Sequence, residues 1–387
     1  MARFQSAVSL NGSVFFLMVG VGLTVSLLPA RMVALSGSFS DVGCLASCFA
    51  LPFVLLQLPM GTLADRYGYK AFLAAGYIVC GLAALAYCLA ETPNILYVGR
   101  FLQGVGEVPI WALAPALLSM DWPEGRGKVL GMYNASMHLG LTAGGLLGLV
   151  FCDCWDGSGA FWVLAATGFA GGILVMACAK ESAGGRASGV EGWHLKSAGA
   201  LMVNRETRVV FSGVVLYGCG YGVFLTVIPM SLIAGHGGGE HAVSLFFVLF
   251  YVAVGLAQFI GGALSDKVGR VATMSLGLTL AGGCLPFALW GSGQALLSAL
   301  AMAGFGLGIF CVSAMAALSE SVPVSRRGTI SGAFYLAWGA GYFLGPILLG
   351  TASDHGGFGS GLLFYSVLLL GNAGVLAAFS GRTRAVA

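Results

Sequence analysis

Apolar stretches of about 20 residues, the length that a helix needs to cross a bilayer, recur along the whole chain. A water-soluble domain would need far more polar surface, because 58% of the 387 residues are hydrophobic and only 9% are charged. The pattern therefore predicts an all-α membrane protein. In chain order, the twelve predicted spans cover residues 7–29, 41–60, 71–90, 95–119, 130–150, 160–179, 208–234, 243–261, 271–290, 294–318, 329–350 and 361–380.

The basic residues lie mainly in alternate loops, and this distribution predicts the orientation of the chain. If the N-terminus is cytoplasmic, all 18 Lys and Arg residues except Arg31 and Arg100 fall in cytoplasmic loops and tails. The outer loops "CDCWDGSG" and "GHGGGEHA" contain neither residue type. Because cytoplasmic loops carry the positive excess, we expect an integral protein of a bacterial cytoplasmic (inner) membrane with both termini inside.

Motifs of enzymes and of ATP-driven pumps do not occur in the chain, so we expect neither activity. The net charge of +3 comes without a run of basic residues, which predicts no binding of nucleic acid. Most of the ten cysteines lie within the spans, where Cys behaves as a small hydrophobic residue. Cys152 and Cys154 in "FCDCW" are too few to hold a metal, and we expect no metal site and no cofactor.

A charged loop occurs twice, after span 2 as "GTLADRYGYK" (61–70) and after span 8 as "GALSDKVGR" (262–270). An ordinary cytoplasmic loop would explain one copy, but not the same pattern 201 residues later at the matching place. A parallel repeat about an axis along the membrane normal produces such a pair. We expect an N-terminal six-helix bundle at 1–180, a cytoplasmic linker at 181–206 and a C-terminal six-helix bundle at 207–387.

The two loops have residue types that suit a gate between moving halves. Glycine allows a tight turn, and an Asp at the membrane surface can bind a helix N-terminus or an arginine. The loops "DWPEGRGKVLG" and "PVSRRGTISG" are also similar to each other, and they offer Arg126 and Arg327 as partners. Such pairs must break and reform if the halves rock against each other.

The duplicated loop resembles the signature loop of the major facilitator superfamily, and the resemblance covers the whole chain. It implies the fold of that family, twelve transmembrane helices in two six-helix bundles around a central cavity, and transport by alternating access. It also implies that the two loops form a latch at the cytoplasmic gate. The residues that match the signature are Gly61, Leu63, Asp65, Arg66, Gly68 and Lys70, and then Gly262, Leu264, Asp266, Lys267, Gly269 and Arg270.

Span 4 carries charge inside the membrane in "GRFLQGVGEVPIW". Arg100, Gln103 and Glu107 are spaced to share one helix face, where ionisable residues usually meet an interior cavity. Glu107 is the only acidic residue that the predicted spans place near mid-depth, and burial disfavours the charged form of a carboxyl, so we expect it to carry protons. Arg100 lies about 10 Å further along the helix, so water, a ligand or another helix would have to bridge the two. A structural glutamate is the alternative.

The same segment resembles the Arg-x-x-Gln-Gly-x-Gly pattern of the family's proton-driven drug exporters, through Arg100, Gln103, Gly104 and Gly106. That resemblance implies a part for the arginine in proton coupling. His138 in span 5 titrates in a useful range and is a second candidate, although a structural role is also open. Candidate substrate-binding residues, which could equally be packing residues, are Gln103, Glu107, Asn134, Tyr217, Tyr221, Tyr335 and Trp338.

The direction of transport is predicted less directly. Family exporters carry a Gly-Pro motif in span 5, whereas here Gly145 follows Gly144 and the Gly-Pro pair is Gly345 and Pro346 in span 11. We expect a monomeric, proton-coupled antiporter in the lipid bilayer that exports small amphiphilic organic molecules. Proton-linked uptake, or export of an organic anion or metal-chelating metabolite, is the alternative, since Arg100 leaves room for an anion. A receptor with a transporter fold also stays open.

Overall fold

The computed structural model describes residues 2–122, 126–151, 158–179, 205–235, 239–322 and 327–384. Helices make up nearly all of these ranges, and short turns join them. The helices are α1 (Ala2–Ser36), α2 (Phe39–Tyr67), α3 (Tyr69–Cys88), α4 (Pro93–Asp121), α5 (Arg126–Phe151), α6 (Gly159–Cys178), α7 (Arg205–Leu225), α8 (Val227–Gly235), α9 (Gly239–Val268), α10 (Arg270–Cys284), α11 (Phe287–Trp290), α12 (Gly293–Glu320), α13 (Arg327–Gly356) and α14 (Phe358–Arg384).

The predicted all-α membrane fold is confirmed. In the described ranges, eleven stretches are helical, long and apolar enough to cross a membrane, and α5 occupies the place of the remaining predicted span. Two predicted spans are each interrupted by a proline. Pro229 cannot donate to the carbonyl of Leu225, where α7 ends, and Pro286 separates α10 from α11. The carbonyl of Gly282, which Pro286 leaves without its helical donor, accepts the hydroxyl of Ser366 at 2.5 Å.

The duplicated loops are shorter in the structure than the sequence suggests. Helix α2 continues to Tyr67 and α9 to Val268, so a single glycine makes each turn. Gly68 has φ of 97° and Gly269 has φ of 103°, in the region that strongly favours glycine. Each of these glycines donates its N–H to the carbonyl four residues earlier. A reversal at one residue lets both flanking helices extend almost to the turn.

The chain divides into two compact units. Unit 1 consists of Met1–Gly37 and Cys48–Gly192, and unit 2 consists of Ser38–Ser47 and Trp193–Ala387. The first part of α2 thus packs with helices of the second half of the sequence. There the hydroxyl of Ser47 donates to the carbonyl of Phe343 at 2.5 Å.

Helices of unit 1 pack closely through glycines. In the α1–α5 pair, Gly140 faces the carbonyl of Phe15 and Gly144 faces that of Val19. In the α3–α4 pair, Gly76 and Gly106 face each other's carbonyls, and a Cβ added at either would lie 2.5–2.6 Å from the opposing oxygen. Because real Cβ atoms do not approach so closely, only glycine allows these backbones to meet.

Unit 2 repeats these contacts at equivalent positions. In the α7–α13 pair, Gly341 faces the carbonyl of Val215 and Gly345 faces Cys219. In the α10–α12 pair, Gly277 and Gly306 again face each other's carbonyls. Each position lies 200 or 201 residues after its counterpart in unit 1. The shared packing supports the internal repeat that the duplicated loops suggested.

Candidate functional site

A chain of hydrogen bonds joins the polar side chains of α4. Arg100, Gln103 and Glu107 are only 3%, 0% and 2% exposed. The Gln103 side chain lies between the other two: its Oε1 accepts from Arg100 at 2.9 Å, and its Nε2 donates to Glu107 Oε1 at 2.8 Å. The bridge between Arg100 and Glu107 is therefore a side chain of the same helix, not the water, ligand or second helix that the sequence left open.

Two aromatic side chains complete this network. The hydroxyl of Tyr87 on α3 donates to Gln103 Oε1 at 2.6 Å. The indole Nε1 of Trp111, one turn beyond Glu107, donates to Glu107 Oε2 at 3.0 Å. Both carboxylate oxygens of Glu107 thus accept from neutral N–H donors. We call Tyr87, Arg100, Gln103, Glu107 and Trp111 the α4 network.

Close packing of α4 against α2 and α3 brings aromatic side chains to the α4 network. Gly99 lies against the ring of Tyr87, and a Cβ there would be 2.7 Å from a ring carbon. Gly104 faces the carbonyl of Phe49 on α2, and the ring of Phe49 lies 4.6 Å from the Arg100 guanidinium carbon. A guanidinium over a ring at this distance makes a favourable cation–π contact. The glycines of α4 therefore admit the aromatic side chains that hold its polar residues.

Three residues of this site were missed from the sequence. Trp111 could have been found, because it lies four residues after Glu107 and hence on the same helix face. Tyr87 and Phe49 reach the site from neighbouring helices, and nothing in the sequence near α4 indicates them.

The structure does not join His138 to this network by a hydrogen bond. Its Nδ1 lies 2.9 Å from the carbonyl oxygen of Asn134 on its own helix, and the Asn134 side chain is exposed. The contact from α5 that reaches α4 near Glu107 is made by Tyr133, whose hydroxyl donates to the carbonyl of Ile110 at 3.0 Å. Roles of His138 and Asn134 in coupling or binding stay predictions.

Aromatic side chains of unit 2 form a cluster around Tyr221. The ring of Tyr221 lies 5.9 Å from that of Tyr217 and 5.8 Å from that of Trp338, between ring centroids. Trp338 in turn stacks on Tyr342 at 5.3 Å. The fourth predicted aromatic residue, Tyr335, has its ring contact with Phe334, at 5.6 Å, and it interacts electrostatically with Tyr217. The rings of Tyr217, Tyr221 and Trp338 are thus in contact, and Tyr335 lies near Tyr217.

The gate residues of unit 2 form an ion-pair network around Arg270. Its guanidinium lies 2.5 Å from Asp266 Oδ1 and 2.7 Å from Glu320 Oε1, and it donates to Ser265 Oγ at 3.0 Å. Glu320, at the end of α12, is a partner that the sequence did not indicate. Both carboxylates are more than half exposed, so each pair adds little stability, typically about 0–1 kcal/mol.

The matching turn of unit 1 is different. The residue after Gly68 is the buried Tyr69, whereas the residue after Gly269 is Arg270. Arg66 is exposed and its guanidinium lies 5.2 Å from the ring of Tyr67, while Lys70 is half-buried. Two more predicted gate residues, Gly61 and Gly262, lie within helices α2 and α9. The side chains of Asp65, Arg126 and Arg327 lie outside the described part of the structure.

The chain is similar to known transporters, and the matches together cover nearly its whole length. The chain is 24% identical over 336 residues to the chromaffin granule amine transporter of Rattus norvegicus, covering 82% of this chain and 61% of that protein. It is 25% identical over 133 residues to Multidrug resistance protein 1 of Bacillus subtilis, covering 34% of each. A solved bacterial homolog of the human lysosomal transporter Spinster, in an inward-facing and unoccupied conformation, shares the fold with a TM-score of 0.80 at 16% identity, covering 98% of this chain and 96% of that one.

The family itself is shown by a model that covers nearly the whole sequence. The model of the Major Facilitator Superfamily matches residues 10–202 and 210–386, which include the α4 network and both duplicated loops. The chain therefore belongs to the Major Facilitator Superfamily, and it is an integral membrane transporter of a small-molecule substrate rather than an enzyme.

Proposed function

We propose that this transporter exports small amphiphilic organic molecules in exchange for protons, and that Glu107 carries the proton. The observation that supports the proposal is the position of Glu107 in the α4 network. It is a buried carboxyl whose oxygens accept hydrogen bonds from Gln103 and Trp111, and within the described residues it has no ion pair. A buried carboxylate whose hydrogen bonds come from neutral donors is costly, so modest changes in hydration or contacts can switch its protonation.

Arg100 influences the protonation of Glu107 but does not carry the proton. An arginine stays protonated in proteins, so it cannot carry the proton itself. Its guanidinium donates to Gln103, whose amide donates to Glu107, and a chain of this kind polarises each of its members. Opening the site to water would favour the ionised carboxyl, and closing it would favour the protonated form.

Export is the direction that the name of one relative, a multidrug resistance protein, favours. One is called a multidrug resistance protein and another an amine transporter, and both names fit organic molecules with polar and apolar parts. The aromatic cluster around Tyr221 offers a surface of the kind that such molecules bind. Arg100 contacts Phe49 and Gln103, and an organic anion would have to displace one of these contacts to bind there.

The ion pairs of Arg270 fit a latch that opens in each transport cycle. They lie at a turn that the distribution of basic residues predicts to be cytoplasmic. Because they are exposed and individually weak, a rocking motion can break them at little cost. We propose the same role for the turn at Gly68, in a bacterial cytoplasmic membrane with both termini inside.

Reconstituted protein with the Glu107→Gln substitution tests the proposed carrier. Glutamine mimics the neutral carboxyl, so we expect a proton gradient to drive no transport while exchange of substrate at equal pH continues. The assay uses proteoliposomes with a pH-sensitive dye inside and a panel of amphiphilic dyes that includes rhodamine 6G. Glu91→Gln, the same change at the exposed turn before α4, is the control and leaves both activities unchanged. Intact gradient-driven flux in Glu107→Gln would reject the carrier and direct attention to His138.

A further inference from the structure

We propose that a cavity at one end of unit 2 binds a neutral molecule with one aromatic ring and a hydroxyl group, the chemical class of the phenols. The cavity lies among α7, α10, α12 and α14, at the ends of these helices that the basic residues predict to be cytoplasmic. None of its lining residues belongs to the α4 network, so its ligand need not be the transported molecule. Binding does not depend on the proposed function, and only the effect of binding on transport rests on it.

The first argument concerns the size and the wall of the cavity. Its volume is about 170 Å³, and an apolar protein cavity of about 150 Å³ holds one benzene ring. Apolar side chains form most of the wall, among them Val210, Val271, Met274, Leu376 and Phe379. The space therefore suits one ring with a small substituent.

The second argument concerns Thr207 in the wall of the cavity. This residue is 8% exposed, and within the described part of the chain its hydroxyl makes no hydrogen bond. A buried hydroxyl without a partner is costly. Because a hydroxyl can both donate and accept, a ligand with a hydroxyl of its own could bond to Thr207 in either direction. A plain hydrocarbon ring would fill the space but would leave this hydroxyl without a partner.

The third argument concerns the charge of the ligand. Charged groups of both signs lie beside the cavity: the exposed Glu206 lines it, and the Arg205 guanidinium lies 5.5 Å from the centroid of the Phe379 ring in its wall. Neither sign of charge is therefore favoured there. A charged ligand would also lose its solvation on entering between apolar side chains, whereas a neutral ligand avoids most of that cost.

The fourth argument comes from the internal repeat. The spacing of the glycine contacts in the same helices gives the corresponding residues of unit 1. By that spacing, the positions of Val210, Ala317 and Arg270 are occupied in unit 1 by Leu10, Leu117 and Tyr69. All three of these unit 1 side chains are buried, whereas the Arg270 side chain pairs with Asp266 and Glu320. The cavity therefore depends on side chains of unit 2 and not on the helix framework that the two units share.

The cavity adjoins the gate residues of unit 2, which gives its ligand a consequence for transport. Val271 in its wall directly follows Arg270, and Ser321 directly follows Glu320. A bound ring would contact both α10 and α12 and would favour the arrangement in which Arg270 pairs with Glu320. If this pair must break in each cycle, as the proposed latch requires, the ligand slows transport without competing with the substrate.

Magnetic resonance of the full-length protein in lipid nanodiscs tests binding, with the methionine methyl groups labelled with carbon-13. Met274 is fully buried in the wall, and its signal is identified by its absence in Met274→Leu. The probes are phenol, toluene with the same number of non-hydrogen atoms, and the charged rings benzoate and benzylammonium. We expect phenol to move the Met274 signal saturably and to leave the signal of Met18, which is buried in unit 1, in place. Toluene should bind more weakly, and the charged rings should not bind.

Three results would contradict the site. A Met274 signal that does not respond to phenol would mean that the cavity is closed, or filled by lipid or by another part of the chain, and would overturn the proposal. Benzoate or benzylammonium that binds as tightly as phenol would reject the neutral class. A Met18 signal that moves in parallel with that of Met274 would show that phenol only dissolves in the bilayer and the protein.

Two variants separate the hydroxyl from the space. Thr207→Val keeps the shape of the side chain but removes its hydroxyl, so we expect phenol binding to weaken by about 2–10-fold, the effect of one hydrogen bond, while toluene binding does not weaken. Thr351→Val, at an exposed hydroxyl of α13, is the control and leaves both affinities unchanged. Ala317→Leu introduces the side chain that unit 1 has at Leu117, and it should abolish binding of both probes because it fills the cavity.

Equal weakening of phenol and toluene in Thr207→Val would reject the hydrogen bond. Binding of phenol that persists in a folded Ala317→Leu protein would place the ligand elsewhere. If Ala317→Leu does not fold, the ratio of the phenol and toluene affinities in the wild type and in Thr207→Val decides.

Transport of an amphiphilic dye in proteoliposomes tests the consequence separately. Phenol should lower the maximal rate of the wild type without raising KM, and it should not slow Ala317→Leu, which controls for effects on the bilayer. Saturable binding without such inhibition would keep the site and reject the latch. Glu107→Gln should bind phenol as the wild type does, so a failure of the proposed proton carrier and a failure of this cavity are distinguishable.

Discussion

Helices α4 and α12 occupy the same place in the two halves of the repeat, yet the charged side chains in the middle of α4 have no counterpart in α12. Gly106 of α4 meets Gly76, and Gly306 of α12 meets Gly277, at equivalent backbone contacts. The side chains between these contacts differ completely. Counted 200 residues further on, Arg100, Gln103, Glu107 and Trp111 correspond to Leu300, Ala303, Leu307 and Cys311.

The two halves of the repeat therefore share their packing contacts but not their buried chemistry. A glycine that meets a carbonyl cannot be replaced without moving two helices, so such positions stay alike in both halves. Residues on the other faces of α4 and α12 are free of that constraint. Leu300, Ala303 and Leu307 are as buried as their polar counterparts, so burial alone does not require polar groups at these places.

The aromatic residues show the opposite asymmetry. Tyr217, Tyr221, Trp338 and Tyr342 of unit 2 have smaller or aliphatic counterparts in unit 1. These are Leu17 and Val21, 200 residues earlier, and Met137 and Leu141, 201 residues earlier, as for the glycines of the same helix pair. All four counterparts are buried. Unit 1 therefore contains the buried charged residues of α4, and unit 2 contains the aromatic cluster around Tyr221. The glycine contacts between helices are similar in the two units.

The largest loss of stability is expected when a glutamate is placed in α12 at the position that corresponds to Glu107 of α4. Leu307→Glu places a carboxyl where α12 has neither a glutamine nor an indole to bind it, so we expect a loss of about 3 kcal/mol of stability. The thermal unfolding midpoint in detergent measures the loss. Leu307→Met, a substitution of similar volume, is the control and costs less than about 1.5 kcal/mol. If the Leu307→Glu protein is as stable as the wild type, polar groups near residue 307 must bind the new carboxyl. The proposed difference between α4 and α12 would then be wrong.

A smaller effect, equal in both units, is expected from the glycine contacts. Gly106→Ala and Gly306→Ala each place a Cβ 2.5–2.6 Å from an opposing carbonyl oxygen, so we expect each to lose about 1–3 kcal/mol of stability. Gly374→Ala in α14, where no atom lies within 4 Å of the added Cβ, is the matched control and should lose no stability, since alanine favours a helix over glycine by up to about 1 kcal/mol. Strongly unequal losses at Gly106 and Gly306 would contradict the equivalence of the two frameworks.

The smallest effect on stability is expected at the turns. Asp266→Asn weakens one exposed ion pair of Arg270, and a cost below about 1 kcal/mol follows from the exposure of its carboxylate. Asp65→Asn is the matching change in unit 1, and we expect it to leave membrane insertion and substrate binding intact. Both should slow transport in proteoliposomes if the turns act as latches. Wild-type rates in both variants would remove the latch from the proposed function.

Much of the site was accessible from the sequence because it lies on one helix. Arg100, Gln103 and Glu107 share a face by helical spacing, and that spacing survives in the structure. Their mutual contacts were not predicted, since the bridging role of Gln103 depends on side-chain conformation. Tyr87 and Phe49 could not be predicted either, because they come from α3 and α2 at a depth set by how the helices cross.

Hydrophobicity, helical spacing and repeated motifs are properties of the linear chain, and they were enough to predict the membrane-spanning helices, the internal repeat and the family. Three features are visible only in the folded chain: one glycine makes each duplicated turn, Glu320 pairs with Arg270, and both Trp111 and Gln103 donate to Glu107. The physical reason is that these contacts depend on side-chain conformations and on the distances at which helix backbones meet. The backbones come closest where both helices have glycine, which has no Cβ, as between Gly76 and Gly106.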